Sequence, residues 1–517
     1  MQNPRRPFTS PDDLSVVLTY YLQAHLSEYT NTALSPSDPA WAQHVYTFTR
    51  SKLEASRDQL IREVPVASGI NLRAMLSHRP YFTRVAEIVL ERLRAGPDAP
   101  SLRIAPGCLS PTQTQRRFGQ GLRLGLIYGA ETIYMQDTVL ALQTDADRSQ
   151  PSAATPIHIL GVPQNELTTD MKAKRALSVD ETGWVSEVRF EEPLALDLVQ
   201  ILHLPREGEQ RLHRQISTQC ERLRLPQINP YRASERADDK EQTHQRWSEL
   251  RTPIYHRIDQ DTSEEAVVTH LRTFLSHLRR RRSTIGLVVQ PNRGTEGQGV
   301  AYFEIKPQEI EQLTSRHPVV RYLIDHLLSE GDALLREERG MLRYRPPEEA
   351  DKGVRRITLR IHVAWNGSAF VAESGYAQVA LDQETFVTSR SRGGTIVGLG
   401  TVLSHLYAFD PEGRTERPVR LTPDDLVRIR RVAAHAAYAL NRDLKPENRL
   451  KFMGIDVVLE RSEAGHVIPV LLEVNPRPAG LQHAEEIPST LDPTPVPKVT
   501  FGLFNYLRAA NNAHLGQ

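Results

Sequence analysis

Two short apolar segments late in the chain are interrupted by acids. They are Gly454-Ile455-Asp456-Val457-Val458-Leu459-Glu460 and Val470-Leu471-Leu472-Glu473-Val474-Asn475-Pro476-Arg477-Pro478, with a polar turn between them. Both read as strands, and the turn makes them an antiparallel pair. Side chains alternate along a strand, so Glu473 and Asn475 point to one face, with Asp456 on the neighbouring strand. Two carboxylates and an amide oxygen are hard ligands suited to Mg²⁺, with open positions left for phosphate. Arg477 shares that face and suits an anionic substrate or developing negative charge. The alternative is a solvated polar face; acids and an amide breaking an otherwise apolar strand pair argue for the metal site.

A second constellation is Val288-Val289-Gln290-Pro291-Asn292-Arg293-Gly294-Thr295-Glu296-Gly297-Gln298-Gly299-Val300. Its glycines lie between two strand-like runs, where backbone N–H groups can turn inward toward phosphate oxygens. It is neither a P-loop nor a dinucleotide fingerprint, because a strand follows where those motifs need a helix. A plain hairpin is the alternative. The third constellation, Asn441-Arg442-Asp443-Leu444-Lys445-Pro446-Glu447-Asn448, imitates the catalytic loop of protein kinases. The rest of that signature is missing: the glycine order differs, and Gly454-Ile455-Asp456 stands where Asp-Phe-Gly is needed. It reads instead as a charged connection after a helix capped by Thr422-Pro423-Asp424-Asp425 and lined by Leu426, Ile429, Val432, Ala433 and Ala436.

These segments need elements to hold them. Residues 1–100 read as a helical region, opened by the helix start Ser10-Pro11-Asp12-Asp13. Residues 101–230 alternate strand and helix, with buried strands at 122–128, 157–162 and 198–204 and a loop from Thr144 to Pro156. That alternation predicts a parallel-sheet α/β domain. Further along, Asp238 to Leu250 reads as a polar helix and 263–278 as an amphipathic one ending at Arg279-Arg280-Arg281-Arg282. Cations suit a helix C-terminus, so that run needs no nucleic-acid reading. Strands are expected at Ile285–Val289 and Val300–Ile305, and mixed strands and helices fill the remainder.

The chain has 517 residues, 39% hydrophobic and 25% charged, with 64 basic side chains against 63 acidic. This composition excludes a mainly disordered chain and gives no electrostatic case for a nucleic-acid or membrane partner. Cys108 and Cys220 are too few for a disulfide scaffold or a four-cysteine zinc site, and read as reduced thiols. The first residues lack a secretory apolar stretch, and no segment approaches the about 18–20 apolar residues of a membrane span. The expectation is a cytoplasmic, soluble protein.

Taken in order, the constellations resemble the ATP-grasp superfamily of ligases, over residues 200 to 485. Pro226-Gln227-Ile228-Asn229-Pro230 ends a helix that follows the last strand of the preceding domain. Asp239-Lys240-Glu241-Gln242-Thr243 looks like the family's Asp-Lys-x-x-Thr helix, with Thr252-Pro253 entering a strand. The glycine hairpin looks like the phosphate-covering loop. Asp332-Ala333-Leu334-Leu335-Arg336-Glu337-Glu338 resembles the hinge strand beside the nucleoside, and Ile357 to Gly367 the strand and turn after it. Glu473-Val474-Asn475-Pro476-Arg477-Pro478 is the most specific piece. The resemblance implies an α/β architecture in four parts: a helical region 1–100, a pre-ATP-grasp parallel-sheet domain 101–230, a small lobe 231–310 with the lid, and a large lobe 311–517 with the Mg/ATP and substrate site.

It also implies roles. ATP is the nucleotide, with Mg²⁺ or alternatively Mn²⁺ held by Asp456, Glu473 and Asn475. Lys240 touches phosphates, and Gly294, Glu296, Gly297 and Gly299 form the lid over them. Glu337 or Glu338 binds the nucleoside, while Arg477 and Arg360 hold the substrate carboxylate and its phosphorylated form. Gln290 stands in the nucleotide site where many members have Lys, and Gly454 where some have Arg. The implied activity is ligation of a small carboxylate to an amine through an acyl phosphate. A small-molecule kinase on the same fold and a silent nucleotide-binding scaffold are the alternatives. Ser389 to Gly400, with Arg390 and Arg392, either borders the acceptor site or is a mobile surface segment, and homodimerisation (a possible homodimer) is left open.

Overall fold

The computed structural model describes residues 103–128, 135–149, 155–179, 185–202, 207–278, 284–294, 297–348, 353–389, 392–410, 415–477, 480–488, 503–504 and 506–508. The helices expected before residue 100, the arginine run 279–282, Glu296 and Arg390 lie outside the described residues. Among the described residues no helix is long and apolar enough to cross a membrane. The class is α/β, and the chain divides into two compact units.

The first unit carries β1 (Arg103–Leu109), α1 (Pro111–Phe118), β2 (Leu122–Tyr128), α2 (Met135–Arg148), β3 (Ile157–Pro163), β4 (Lys172–Val179), β5 (Val185–Ala195) and β6 (Leu198–Ile201). The sheet order is β1-β5-β4-β3-β2-β6. β2 runs parallel to β3 and β6, as the alternation predicts, and is buried along almost its whole length. The sheet is mixed, however, not purely parallel: β4 is antiparallel to both β3 and β5. A parallel crossover takes about a dozen residues or more, and only residues 180–184 separate β4 from β5. The loop expected from Thr144 also starts later. Val139, Leu142 and Ala146 keep one buried helical stripe, so α2 continues to Arg148.

The second unit opens with α3 (Glu207–Leu223), α4 (Tyr231–Asp238) and α5 (Lys240–Arg246). Here the single polar helix expected from Asp238 is broken. Asp239 is extended (φ −86°, ψ 105°) and its carboxylate accepts from the Gln242 N–H at 3.0 Å, capping a new helix. A small lobe follows: β7 (Tyr255–Ile258), α6 (Glu264–Leu278), β8 (Ile285–Pro291), β9 (Ala301–Ile305), α7 (Pro318–Tyr322) and β10 (Ala333–Glu337), in the sheet order β7-β10-β8-β9. Ile285, Leu287, Val289, Ala333 and Leu335 are buried in one core with α6. The alternate residues Val288, Gln290, Leu334 and Arg336 therefore share the opposite face. A one-residue slip would exchange the two sets and cost about 2 kcal/mol for each large apolar side chain expelled, so the core locks this register.

The large lobe contains β11 (Leu342–Tyr344), β12 (Ile357–Trp365), β13 (Phe370–Val379), β14 (Thr395–Gly398), α8 (Leu399–Ser404), β15 (Leu406–Asp410), β16 (Thr415–Val419), α9 (Pro423–Asn441), β17 (Phe452–Arg461), β18 (Val467–Asn475) and β19 (Glu485–Glu486). Its main sheet runs β14-β13-β12-β17-β18, with β19 beside β13. α9 starts as the sequence predicts. Thr422 and Asp425 form a reciprocal capping box, and Leu426, Ile429, Ala433 and Ala436 are buried in the lobe's core. Trp247, just after α5, is fully buried there and donates its indole N–H to the Ala436 carbonyl at 3.1 Å. That anchor fixes α5 against the large lobe.

Candidate active site

β17 and β18 pair antiparallel, with Asp456 directly opposite Glu473 and Gly454 opposite Asn475. Leu472 is the extra residue of a bulge beside Glu473, a device that re-aims side chains at sites. On the other side of β17, Asp456 faces Arg360 of β12. The guanidinium grips the carboxylate with two bonds, Nε–Oδ1 and Nη2–Oδ2, each 2.8 Å. Asn475 Nδ2 lies 3.5 Å from Asp456 Oδ2. One row thus runs Arg360, Asp456, Glu473 across three strands.

Electrostatics separate the two acids. Burial pushes the Asp456 carboxyl up, against the opposing pull of Arg360. Burial acts the same way on Glu473, but Lys240, Arg360 and Arg336 outweigh it and hold that carboxyl below its ordinary range. Burial alone would lower the Arg360 guanidinium; Asp456, Tyr376 and Glu473 raise it well above its usual value.

Lys240 joins three elements. It is the first residue of α5, its Nζ donates to the Gly294 carbonyl at 3.0 Å, and Glu473 Oε2 lies 4.0 Å away. The base of the glycine loop is tied to the same helix start. Asn292 accepts from the Lys240 N–H with its carbonyl at 3.1 Å and from the Glu241 N–H with its side chain at 3.0 Å. Gly297 (φ 69°) and Gly299 (φ 65°) hold left-handed conformations, and a Cβ on Gly299 would meet Pro291 Cγ at 2.9 Å and Leu327 Cδ2 at 3.0 Å. Gly297 approaches Val387, Ser389 and Arg392, so the loop reaches the segment expected to border the acceptor site.

On the small-lobe sheet, Gln290 is buried opposite Leu334, and Arg336 lies opposite Val288. Glu338 follows on the same face; it pairs with Arg356 and accepts from the Tyr302 hydroxyl at 2.9 Å. Glu337 is turned elsewhere, to Arg339 at 3.4 Å and the Ile254 N–H at 3.4 Å. Of the two acids assigned to the nucleoside, Glu338 alone shares the face of Gln290. The Arg477 side chain, 7% exposed, is bonded to Asp238 of α4. Burial pushes the Asp238 carboxyl up to about 6, opposed by Arg477, Lys240 and Arg293.

The donor set suits Mg²⁺: two carboxylates and an amide oxygen close together on paired strands. Lys240, Arg336 and Arg360 all act on Glu473, so three cations face the two acids. A bare dication would enter an already positive neighbourhood, whereas a metal carried with a polyanion would balance it.

The kinase-like segment lies elsewhere. Asp443 follows α9, half-exposed, and is bonded by Arg236 at 3.2 Å and by both terminal nitrogens of Arg246, one of them at 2.8 Å. Sequence reasoning missed Asp238, His244 and Arg336. The available signals were an acid directly before Asp239-Lys240 and a cation directly after the apolar run Ala333-Leu334-Leu335.

No family model matches the chain, and no curated protein matches it. Among solved structures it is similar to a D-cycloserine synthetase, at 15% identity and TM-score 0.39, over 75% of this chain and 99% of that one. D-alanyl-alanine synthetase A from Vibrio cholerae shows 11% identity and TM-score 0.41, over 76% and 98%. VanG D-Ala:D-Ser ligase from Enterococcus faecalis shows 12% and 0.42, over 76% and 99%. At TM-scores under 0.5 these likenesses carry no argument about function, which rests on the site itself.

Proposed function

We propose that the chain is an ATP-dependent ligase of the ATP-grasp kind, joining a small-molecule carboxylate to an amine and releasing ADP and phosphate. The observation that carries this reading is Lys240, whose ammonium lies between the lid carbonyl of Gly294 at 3.0 Å and Glu473 at 4.0 Å. One side chain thus links the glycine loop, the Asp-Lys-x-x-Thr helix and the acid pair, the three motifs on which the resemblance rests.

In this reading the substrate carboxylate attacks the γ-phosphorus of ATP and ADP leaves. The amine then attacks the acyl carbon, loses a proton, and phosphate departs. No side-chain nucleophile is needed; positioning and charge stabilisation supply the rate. Lys240 holds phosphate oxygens and couples their arrival to the lid. Arg360 and Arg477 stabilise charge on the transferring group and the acyl phosphate, and Asp238 and Asp456 keep those arginines oriented. Asp456, Glu473 and Asn475 would hold Mg²⁺ or Mn²⁺, which would supply neutralisation of phosphate charge. Gly297 and Gly299 let the loop close and keep water from the acyl phosphate.

The test is ADP and phosphate release from MgATP with pooled small carboxylates and amines, with mass spectrometry of the products. A product one water lighter than its two substrates, made only when both are present, supports the ligase. A stable product one phosphoryl group heavier than a single substrate overturns it in favour of a kinase.

A further inference from the structure

Arg336 is a poorly accommodated charge of the small-lobe sheet. It lies in the middle of the small-lobe sheet, 7% exposed, on the face away from that lobe's core. Its row across the sheet is Tyr255 on β7, Arg336 on β10, Val288 on β8 and Tyr302 on β9. Among the described residues its guanidinium makes no hydrogen bond or ion pair, and its Nε is fully enclosed without a partner. A guanidinium carries five N–H donors, and leaving them buried without an acceptor is costly.

The neighbours do not meet that need. Gln290, on the same face one rung along, also has its amide nitrogen enclosed without a partner. Both ring nitrogens of His244 lack partners too; the ring stacks on Tyr255 at 4.8 Å, and burial, with Arg336 and Lys240 nearby, keeps it uncharged. Glu473 and Asp456 attract Arg336 from across the site, but Asp456 is gripped by Arg360 and Glu473 is faced by Lys240. This sheet face therefore presents donors that the protein itself does not satisfy. Neutral Gln290 brings no charge, and Arg257, which shares this face opposite Leu334, is taken up by Glu241 and Asp332, so Arg336 is the cation left for a ligand.

We propose that the guanidinium of Arg336 and the amide N–H groups of Gln290 form a donor subsite that receives an acceptor-only group of the nucleotide, either a phosphate oxygen or a base carbonyl, with Arg336 supplying the charge. The proposal rests on the nucleotide reading above and names the residues that hold the ligand on the small-lobe side.

The experiment titrates the full chain and its Arg336→Gln variant with MgATP, MgGTP and magnesium tripolyphosphate by calorimetry. Arg336→Gln weakens binding about tenfold or more, the loss of a charge-assisted contact. Equal losses for all three ligands identify phosphate as the group held; in that case adding Gln290→Lys to the variant restores affinity. A loss confined to MgGTP, with wild type preferring it to MgATP, identifies a base carbonyl. Melting of the unliganded protein separates binding from scaffolding: Arg336→Gln leaves the midpoint unchanged or raises it, whereas a structural cation would lower it. If the neutral variant does not fold, Arg336→Lys keeps the charge and loses the fork, and binding falls severalfold. Wild-type affinity of Arg336→Gln for all three ligands overturns this proposal alone. A wild type that binds none of them overturns the nucleotide reading as well.

Discussion

Two surfaces of the second unit face the same site and are finished differently. On the large lobe, Asp456 and Arg360 satisfy each other with two bonds of 2.8 Å, and Arg477 is bonded to Asp238. On the small lobe, Arg336 and Gln290 are buried with donors unused. A paired surface is organised before any ligand arrives; an unpaired one is complete only with a ligand. The large lobe therefore suits the chemical step, where preorganised charge matters most, and the small lobe suits capture of the substrate that brings the negative charge.

The comparison breaks most sharply at the acid pair. Asp456→Asn and Glu473→Gln each reduce steady-state turnover by about 10³-fold, because in the proposed function each removes charge beside the transferring phosphate. Their effects on stability differ. Asp456→Asn weakens the buried pair with Arg360 and costs up to about 3 kcal/mol, read in a urea titration. Glu473→Gln leaves the urea midpoint close to wild type, since Glu473 is partly exposed and Lys240 and Arg360 keep other partners. Equal destabilisation by the two variants would show that the row from Arg360 to Glu473 is one rigid unit, not a fixed pair beside an open ligand.

A second break is metal binding without nucleotide. Three cations around two acids oppose a bare dication, so Mn²⁺ alone, followed by paramagnetic resonance, binds about 100-fold more weakly than Mn²⁺ with a non-hydrolysable nucleotide. Equal affinities would mean that the acids form a resident metal site, and the small lobe would lose its role as the partner that completes it.

The lid gives a smaller effect. Gly299→Val places a β-branched residue at φ 65° with its Cβ 2.9 Å from Pro291 Cγ and 3.0 Å from Leu327 Cδ2, inside ordinary contact distance. Left-handed strain costs about 1–2 kcal/mol. Turnover falls about 10–100-fold through misplacement of the closed loop, with the circular dichroism spectrum unchanged. Unchanged turnover would detach the glycine loop from the site.

Local signals were legible and tertiary ones were not. The capping box of Thr422 and Asp425 and the apolar stripe after it specify α9 within a few turns, and the alternation around Glu473 and Asn475 specifies which side chains share a face. Asp456 lies opposite Glu473 because one tight turn joins their strands. Nothing local revealed the break at Asp239: that residue leaves the helix because its backbone bridges to Arg293, 54 positions away. The cation Arg336 is likewise meaningful only once β7, β8 and β10 are aligned and its face is known. The mixed sheet of the first unit was hidden because β4 and β5 have the same composition whichever way they run.

The smallest effect tests the segment that looks most catalytic in sequence. Asp443 is half-exposed and held by Arg246 and Arg236, and its carboxyl is depressed mainly by the Arg246 hydrogen bond. A depressed carboxyl contributes stability above its unfolded pKa and loses that contribution as pH falls through its folded value. The pair faces solvent, so screening limits that contribution to under about 1 kcal/mol, and salt reduces it further. Asp443→Asn thus leaves turnover at the wild-type level at neutral pH and lowers the melting midpoint by about 1–3 °C at low salt. The difference from wild type vanishes on acidification below the ordinary carboxylate range, because both side chains are then uncharged. A kinase-type base at this position would instead make Asp443→Asn as damaging to turnover as Glu473→Gln, and would move the chemistry out of the cleft between the two surfaces.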